Sequence, residues 1–345
     1  MTVIREISSQ EHEHVFQFQD DVTGLTGFLA IHNTNLGPAL GGIRIRPYRA
    51  DLPALSDALR LSRAMTYKTA LAELPCGGGK AVLIDHHDLR REAAFEEFGR
   101  LVDLCGGQFF AGPDVGTWPE DLQAVRRATK YCAEDSSPEL GDIAEHTAIG
   151  VWHAMRACLD AAGIQHPRVA IQGVGNVGMH LGRILHRGGF ELIVADIDRD
   201  RASTAAQDLG AQVVSPDEIL TCQCDVLAPC ALGAVMNMYS VPKVQAKIVC
   251  GSANNVLASP EDGDALLKRG IIYGPDYLTN AGGVIRGAEY YLLGLRDSRS
   301  SLMRIHDRMK RVLDLSRERK CSTARIADEL AEARWKGVQP VRAPA

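Results

Sequence analysis

Two lysines twelve residues apart, Lys68 and Lys80, bracket the stretch M-T-Y-K-T-A-L-A-E-L-P-C-G-G-G-K. A lysine withdrawn from water loses its proton more easily, and a lysine neutral near pH 7 serves as a general base. Lys80 leads into the apolar run A-V-L-I-D, which reads as a buried strand over 81–85. Lys68 is expected late on a helix over 54–72, where Leu59, Leu61, Met65 and Ala72 alternate with Arg60, Arg63 and Glu73. Pro75 and Gly77, Gly78 and Gly79 end that helix and are read as a turn, with Lys80 just beyond it. A lone lysine is ordinarily a solvated surface charge, and it is the flanking pattern that points to chemistry here.

A carboxylate comes next. The strand-like F-F-A-G at 109–112 delivers P-D-V-G-T, so Asp114 is expected at a strand tip, with a turn or helix cap as its structural alternative. Further on, R-V-A-I-Q-G-V-G-N-V-G places Gly173, Gly175 and Gly178 between a strand at 169–172 and a helix reaching about Gly188, with Asn176 and Val177 inside the motif. Such glycines allow a tight turn and let a pyrophosphate approach the helix N-terminus, where unpaired N–H groups favour anions. Asp196 closes the next strand, E-L-I-V-A-D, and is suited to accept hydrogen bonds from an adenosine ribose; it would repel a 2′-phosphate, which favours NAD over NADP. Ligands of open α/β sheets collect in loops after strands, here A-P-C-A-L-G-A with Ala231, and G-S-A-N-N with Asn254. Asn254 and Asn255 also read as plain turn residues. Asn280 stands before a glycine pair in T-N-A-G-G.

These groups need a frame. Residues 14–46 alternate apolar and polar and suggest a small β-meander whose last strand, L-G-G-I-R-I-R, looks exposed. A helix at 92–104 buries Phe95, Phe98 and Leu101, and the polar, Pro/Gly/Ser-rich 133–145 reads as a linker before a helix from Thr147 to Ala162. Candidate strands at 169–172, 191–196, 212–214, 224–228, 247–250 and 271–273, separated by helices or turns, describe a doubly wound, largely parallel sheet. The tail from Gly337 reads as mobile.

Length and composition narrow the function. A chain of 345 residues suggests two domains, and 46% hydrophobic with 23% charged residues is a globular composition. A net charge of −5 offers no basic face for nucleic acid, and no apolar run reaches the roughly 20 residues needed to cross a bilayer. The polar start is not a signal peptide. Nine cysteines without paired C-x-x-C spacing, and a C-Q-C lacking companion ligands, read as reduced thiols in a cytoplasmic protein with no metal site.

Taken in order, M-T-Y-K, G-G-G-K, D-V-G-T, G-V-G-N-V-G, A-P-C-A-L-G and A-N-N resemble the amino-acid dehydrogenase family that includes the glutamate, leucine, phenylalanine and valine enzymes. The resemblance runs from L-G-P-A-L-G-G to N-A-G-G-V. It implies an α/β fold of two domains with the active site in the cleft between them. Residues 1–135 would form the substrate-binding and oligomerisation domain, 136–321 the Rossmann NAD domain, and helices from about 322–345 would return to the first. By similarity Lys68 would hold the substrate α-carboxylate with Asn254, Lys80 would be the general base, Asp114 its partner in proton transfer, and Thr147 would lie near the nicotinamide. The implied reaction is hydride transfer from Cα to NAD, attack of water on the iminium, and release of ammonia from the carbinolamine to give a 2-oxo acid, with an alkaline optimum for deamination.

Glutamate-specific relatives carry a lysine where this chain has Leu40, and a second carboxylate would be buried unpaired beside Leu40. The substrate is therefore expected to be an apolar L-amino acid. The other pocket positions implied are Gly41, Gly112, Val284 and Gly287, and the small residues tilt the expectation toward a side chain as large as phenylalanine, with leucine or valine close behind. Glu145, His146 and Arg286 depart from the family pattern and would line an altered entrance if they touch substrate; solvated loop charges and a helix-start histidine are the plainer reading. A homo-oligomer is expected from the resemblance and from an unpaired edge at Ile43–Ile45. The competing readings are a dehydrogenase of another amine or hydroxy acid, which would leave Lys68 without a carboxylate, and a non-catalytic NAD-binding protein, which would not need Lys68, Lys80 and Asp114 together.

Overall fold

In the computed structural model the described residues are 2–134 and 137–337, so the expected mobile tail lies, beyond Gly337, outside them, as do two residues of the expected linker. The chain divides into two compact units, one comprising Met1–Gly141, Tyr291–Gly294 and Ala331–Ala345, the other Asp142–Tyr290 and Leu295–Leu330.

The first unit is built on a six-stranded mixed sheet: β1 (Val3–Glu6), β2 (His14–Asp20), β3 (Leu25–Asn33), β4 (Ala39–Arg46), β5 (Gly77–Ile84) and β6 (Phe109–Pro113), in the order β1-β2-β3-β5-β4-β6. Neighbours from β1 through β5 are antiparallel, whereas β5, β4 and β6 run parallel. The expected meander therefore stops at β3, because β5 inserts between β3 and β4. That insertion also removes the unpaired edge expected at Ile43–Ile45: β4 is bonded on both sides, and β1 is an edge strand of this sheet.

Strand alternation sends successive side chains to opposite faces. On one face Leu29, Ile31, Ile43 and Leu83 meet Phe95, Phe98 and Leu101 of α2 (Arg91–Leu104) and Leu122 and Val125 of α3 (Pro119–Ala128). On the other, Val15, Phe28, Ala30 and Val82 pack against Ala54 and Ala58 of α1 (Asp51–Leu71). The glycines before Lys80 are not a turn but the first three residues of β5. A Cβ on Gly77 would lie 1.7 Å from the Asn33 carbonyl oxygen, one on Gly78 2.1 Å from the Thr66 nitrogen, and one on Gly79 2.7 Å from the Phe109 ring. Glycine is needed there because β3, α1 and Phe109 press directly on the strand backbone, a tertiary requirement that local sequence reads as a breaker.

The second unit is a parallel six-stranded sheet of β7 (Arg168–Gln172), β8 (Glu191–Ala195), β9 (Gln212–Val213), β10 (Val226–Pro229), β11 (Ile248–Val249) and β12 (Ile272–Tyr273). Its order, β9-β8-β7-β10-β11-β12, is the 3-2-1-4-5-6 arrangement of dinucleotide-binding sheets. All six candidate strands are present. Its helices are α4 (Ile143–Ala162), α5 (Asn176–Arg187), α6 (Arg199–Leu209), α7 (Pro260–Lys268), α8 (Asp276–Thr279), α9 (Gly282–Leu293), α10 (Arg299–Arg319) and α11 (Thr323–Lys336), the ends of α9 and α11 falling in the first unit. α4 begins four residues before the expected Thr147, because the Asp142 carboxylate accepts from the Ala144 N–H and caps it. Among the described residues no helix is long and apolar enough to cross a membrane, and no cluster of His, Cys, Asp and Glu could hold a metal.

Candidate active site

In the first unit the register across β5, β4 and β6 sets the chemistry. Gly42 pairs with Gly112 and Leu40 with Phe110 and Gly78. The pairs flanking Gly42 on β5, Leu40 with Gly78 and Ile43 with Ala81, put Lys80 on the same face. α1 covers that face over β3 and β5, and its last turn carries Lys68, half-buried. Leu40, Gly42, Arg44 and Gly112 remain partly exposed on the rest of it. Gly112 has space for a side chain, since a Cβ there would meet only the Gly41 carbonyl oxygen, at 4.0 Å. Gly41 itself is out of phase with this face. It is buried, with the Gly79 carbonyl oxygen 2.0 Å from where its Cβ would stand, so it serves the close approach of β4 and β5 rather than a substrate side chain.

Lys80 is 5% exposed, and its Nζ lies 3.0 Å from Asp114 Oδ2. Burial pushes the ammonium below its ordinary pKa, against the opposing pull of Asp114. For Asp114 burial works upward, but Lys80 and Arg44 outweigh it and hold the carboxyl below the usual range. Asp114 sits just past β6, where its N–H donates to Thr117 Oγ1 at 2.9 Å and Thr117 Oγ1 donates back to its carbonyl at 2.6 Å. The arrangement can hold a charged carboxylate beside a lysine poised to lose its proton.

Sequence reasoning missed Arg44 and Gly42. Arg44 Nε donates to Asp114 Oδ2 at 2.8 Å. A Cβ on Gly42 would fall 2.8 Å from Asp114 Cβ and 3.2 Å from Lys80 Nζ. The signal was available in L-G-G-I-R, where positions 40, 42 and 44 must share a face once the run is a strand.

In the second unit the glycine fingerprint turns between β7 and α5. Gly173 has φ +91° and meets Ala231 closely, a Cβ there lying 2.6 Å from Ala231 Cβ, and a Cβ on Gly178 would strike the Gly173 carbonyl oxygen at 2.0 Å. Gly175, by contrast, has nothing within 4 Å of its Cβ position and stands as the N-cap of α5 without a side-chain cap, ahead of exposed Asn176 and half-buried Val177. The turn is thus packed below and open at the helix end, the shape an anion requires. Asp196 accepts from the Val174 N–H and the Asp198 N–H, each at 2.9 Å, so its carboxylate ties the end of β8 to the glycine turn.

Asn280 Nδ2 donates to Asn254 Oδ1 at 2.8 Å and to the Ser252 carbonyl at 3.1 Å, while its buried Oδ1 has no partner among the described residues. Thr147 Oγ1 donates to the Ile143 carbonyl at 2.8 Å and lies against Gly283, whose Cβ would come within 2.7 Å of it. Val284 and Gly287 are both half-buried and one helical turn apart on α9, and Gly287 has nothing within 4 Å of its Cβ position. Arg286 does not line an entrance: it is 2% exposed, donates to the Leu295 carbonyl at 3.1 Å and lies over the Tyr290 ring. Glu145 is exposed, and His146 Nδ1 meets the Asp142 carbonyl at 2.7 Å, within the first turn of its own helix.

Residues 10–131 match the family model of the Glu/Leu/Phe/Val dehydrogenase dimerisation domain, and residues 191–324 that of Glutamate/Leucine/Phenylalanine/Valine dehydrogenase. The chain is 39% identical to leucine dehydrogenase of Geobacillus stearothermophilus, over 100% of this chain and 96% of that protein. It is 38% identical to valine dehydrogenase of Streptomyces coelicolor, over 95% and 93%. The crystal structure of L-tryptophan dehydrogenase from Nostoc punctiforme superposes with a TM-score of 0.83 at 37% identity, covering 95% of this chain and 96% of that one.

Proposed function

The chain belongs to the glutamate/leucine/phenylalanine/valine dehydrogenase family, and from that premise we propose that it catalyses the reversible oxidative deamination of an apolar L-amino acid to the 2-oxo acid and ammonia, with NAD as cofactor. The observation that carries the reading is Lys80, buried, pushed toward neutrality and 3.0 Å from a charged carboxylate, on a sheet face shared with Leu40 and the open Gly112.

The second unit's residues suit a nicotinamide dinucleotide. The open Gly175 and the free N–H groups of α5 match a pyrophosphate, and the unpartnered Asn280 Oδ1 matches an amide donor. Gly173 to Gly178 would hold the pyrophosphate, Asp196 the adenosine ribose, and Ala231, Asn254, Asn280 and Thr147 the nicotinamide end. When bound, the cofactor supplies the acceptor for the hydride leaving Cα.

The chain's own residues do the rest. Lys68 is assigned to the α-carboxylate, the role that the family resemblance also gives Asn254. Asp114, charged at rest, takes a proton from the substrate ammonium before the hydride leaves. Neutral Lys80 then takes a proton from the water that attacks the iminium, and Asp114 returns its proton to the carbinolamine nitrogen so that ammonia departs as the carbonyl forms. Leu40 and Gly112 of the first unit, and separately Val284 and Gly287 of the second, are the positions we assign to the substrate side chain. Leu40 excludes a distal carboxylate, and the space at both glycines admits an aromatic ring. We place the enzyme in the cytoplasm as a homo-oligomer assembled through its first unit.

The test is NADH formation at alkaline pH with L-leucine, L-valine, L-phenylalanine, L-tryptophan and L-glutamate, repeated with NADP on the best substrate. Turnover of the large apolar substrates with NAD and little of glutamate is expected; no turnover of any of the five would overturn the assignment.

A further inference from the structure

The carboxylate beside Lys80 has two cationic donors on one oxygen. Asp114 Oδ2 accepts from Lys80 Nζ at 3.0 Å and from Arg44 Nε at 2.8 Å. The Arg44 guanidinium reaches on with Nη1 to Asp57 Oδ2 at 3.3 Å, where the Tyr48 hydroxyl also donates at 2.8 Å, and Arg60 Nη2 closes the row on Asp57 Oδ1 at 2.9 Å. Cations and anions thus alternate along Lys80, Asp114, Arg44, Asp57 and Arg60. Only the last side chain is strongly exposed: Lys80, Arg44, Asp57 and Asp114 are at 6, 16, 19 and 22%.

We propose that Arg44, held by Asp57, is a positioning residue of the reaction, which occupies Asp114 so that Lys80 is free to act as the base. A buried ammonium facing a lone carboxylate would keep its proton, and a base that keeps its proton does no work. Arginine cannot lose its charge, so it can compensate Asp114 at every working pH, and its fork reaches two carboxylates at once, which lysine's point charge cannot. The charged groups bearing on Lys80 come from three elements: Arg44 from β4, Asp114 from the end of β6, and Asp57 from α1, with Tyr48 and Arg60 behind Asp57. On β3 the residue paired with it is the uncharged Ala30. Arg44 disfavours a proton on Lys80, and Asp57 favours one.

These opposite signs give the test, which rests on Lys80 being the base. The acid limb of kcat against pH for deamination is measured for the wild type, Arg44→Gln, Arg44→Lys and Asp57→Asn. Arg44→Gln is expected to move the limb up by about 1 pH unit, and Asp57→Asn to move it down. Arg44→Lys should return the limb toward the wild-type position while kcat stays reduced, since one contact of the fork is lost. A residue that merely supports the fold would lower kcat without moving the limb. Unmoved limbs, or limbs moved the same way in Arg44→Gln and Asp57→Asn, would overturn the proposal. If Arg44→Gln does not fold, as judged by circular dichroism and NAD binding, the downward shift in Asp57→Asn decides alone. Lys80→Ala in the same series separates the two ideas: full turnover in that variant would instead sink the assignment of the base.

Discussion

Gly42 stands beside Lys80 where no side chain fits: a Cβ there would lie 3.2 Å from Lys80 Nζ and 2.7 Å from the Pro113 carbonyl oxygen. The ammonium end can swing aside, but the backbone oxygen cannot do so without moving Asp114 with it. Gly42→Ala should therefore spread the Lys80–Asp114 pair and lower kcat about 100-fold, because a misplacement of about 1 Å has that effect. Affinity for NAD, followed by fluorescence titration, should stay within two-fold or so, since the second unit is untouched. Unchanged kcat would show that the pair's spacing does not matter.

The two lysines are predicted to fail differently. Lys80→Ala should cost about 10² to 10⁴ in kcat, the usual range for a general base. Lys68→Ala should act chiefly on KM for the amino acid, because it removes binding rather than proton transfer. Steady-state kinetics on both variants with the best substrate decides; a Lys68→Ala enzyme with normal KM would leave the α-carboxylate without its proposed partner.

Gly112 offers a cleaner handle on specificity. A Cβ there meets only the Gly41 carbonyl oxygen, at 4.0 Å, so Gly112→Ala should fold with an unchanged melting temperature. The added methyl takes its volume from the proposed side-chain pocket. The ratio of kcat/KM for phenylalanine to that for valine should fall at least about 10-fold, the lower end of what one methylene changes. Equal losses on both substrates would place Gly112 outside the pocket.

Acid stability should carry a histidine signature. His32 is 4% exposed, bonded through Nδ1 to Thr66 Oγ1 at 2.9 Å, and set between the rings of His12 and Trp335. Burial first, then His12, Arg63 and Lys336, depresses its pKa from 6.5 to about 3. Well above pH 6.5 the ring is neutral folded or unfolded and pH changes nothing through it. As pH falls from 6.5 toward about 3, the unfolded chain binds a proton that the folded chain refuses, so stability is lost. Between pH 6.5 and about 5 the loss is about 2 kcal/mol. Thermal melts of His32→Gln should show a shallower decline over that window than the wild type. Parallel curves would mean that His32 is not the group responsible.

The dinucleotide half was legible because its signals are local. Gly173, Gly175 and Gly178 lie within one turn, the six strands announce themselves as short apolar runs, and their order follows from repeated right-handed crossovers. Lys80 and Asp114 could be singled out as candidates for a related reason, since each adjoins a recognisable apolar run and a glycine.

What failed depended on partners distant in sequence. Gly77, Gly78 and Gly79 read as a breaker because nothing in the local sequence shows Asn33, Thr66 and Phe109 pressing on them. Ile43–Ile45 read as an edge because β5, thirty and more residues later, slips between β3 and β4. Arg286 read as a surface charge because charge usually means water, whereas its guanidinium finds the Leu295 carbonyl and the Tyr290 ring inside the fold.

The sequence by itself determined the residue types of the proposed reaction: two lysines, one aspartate and a glycine turn suited to a dinucleotide. Only the tertiary structure decided that Asp114 answers to Arg44 as well as to Lys80, because hydrogen bonds and desolvation are properties of where atoms meet. Their strengths follow distance and burial, and neither quantity exists until β4, β5 and β6 lie side by side.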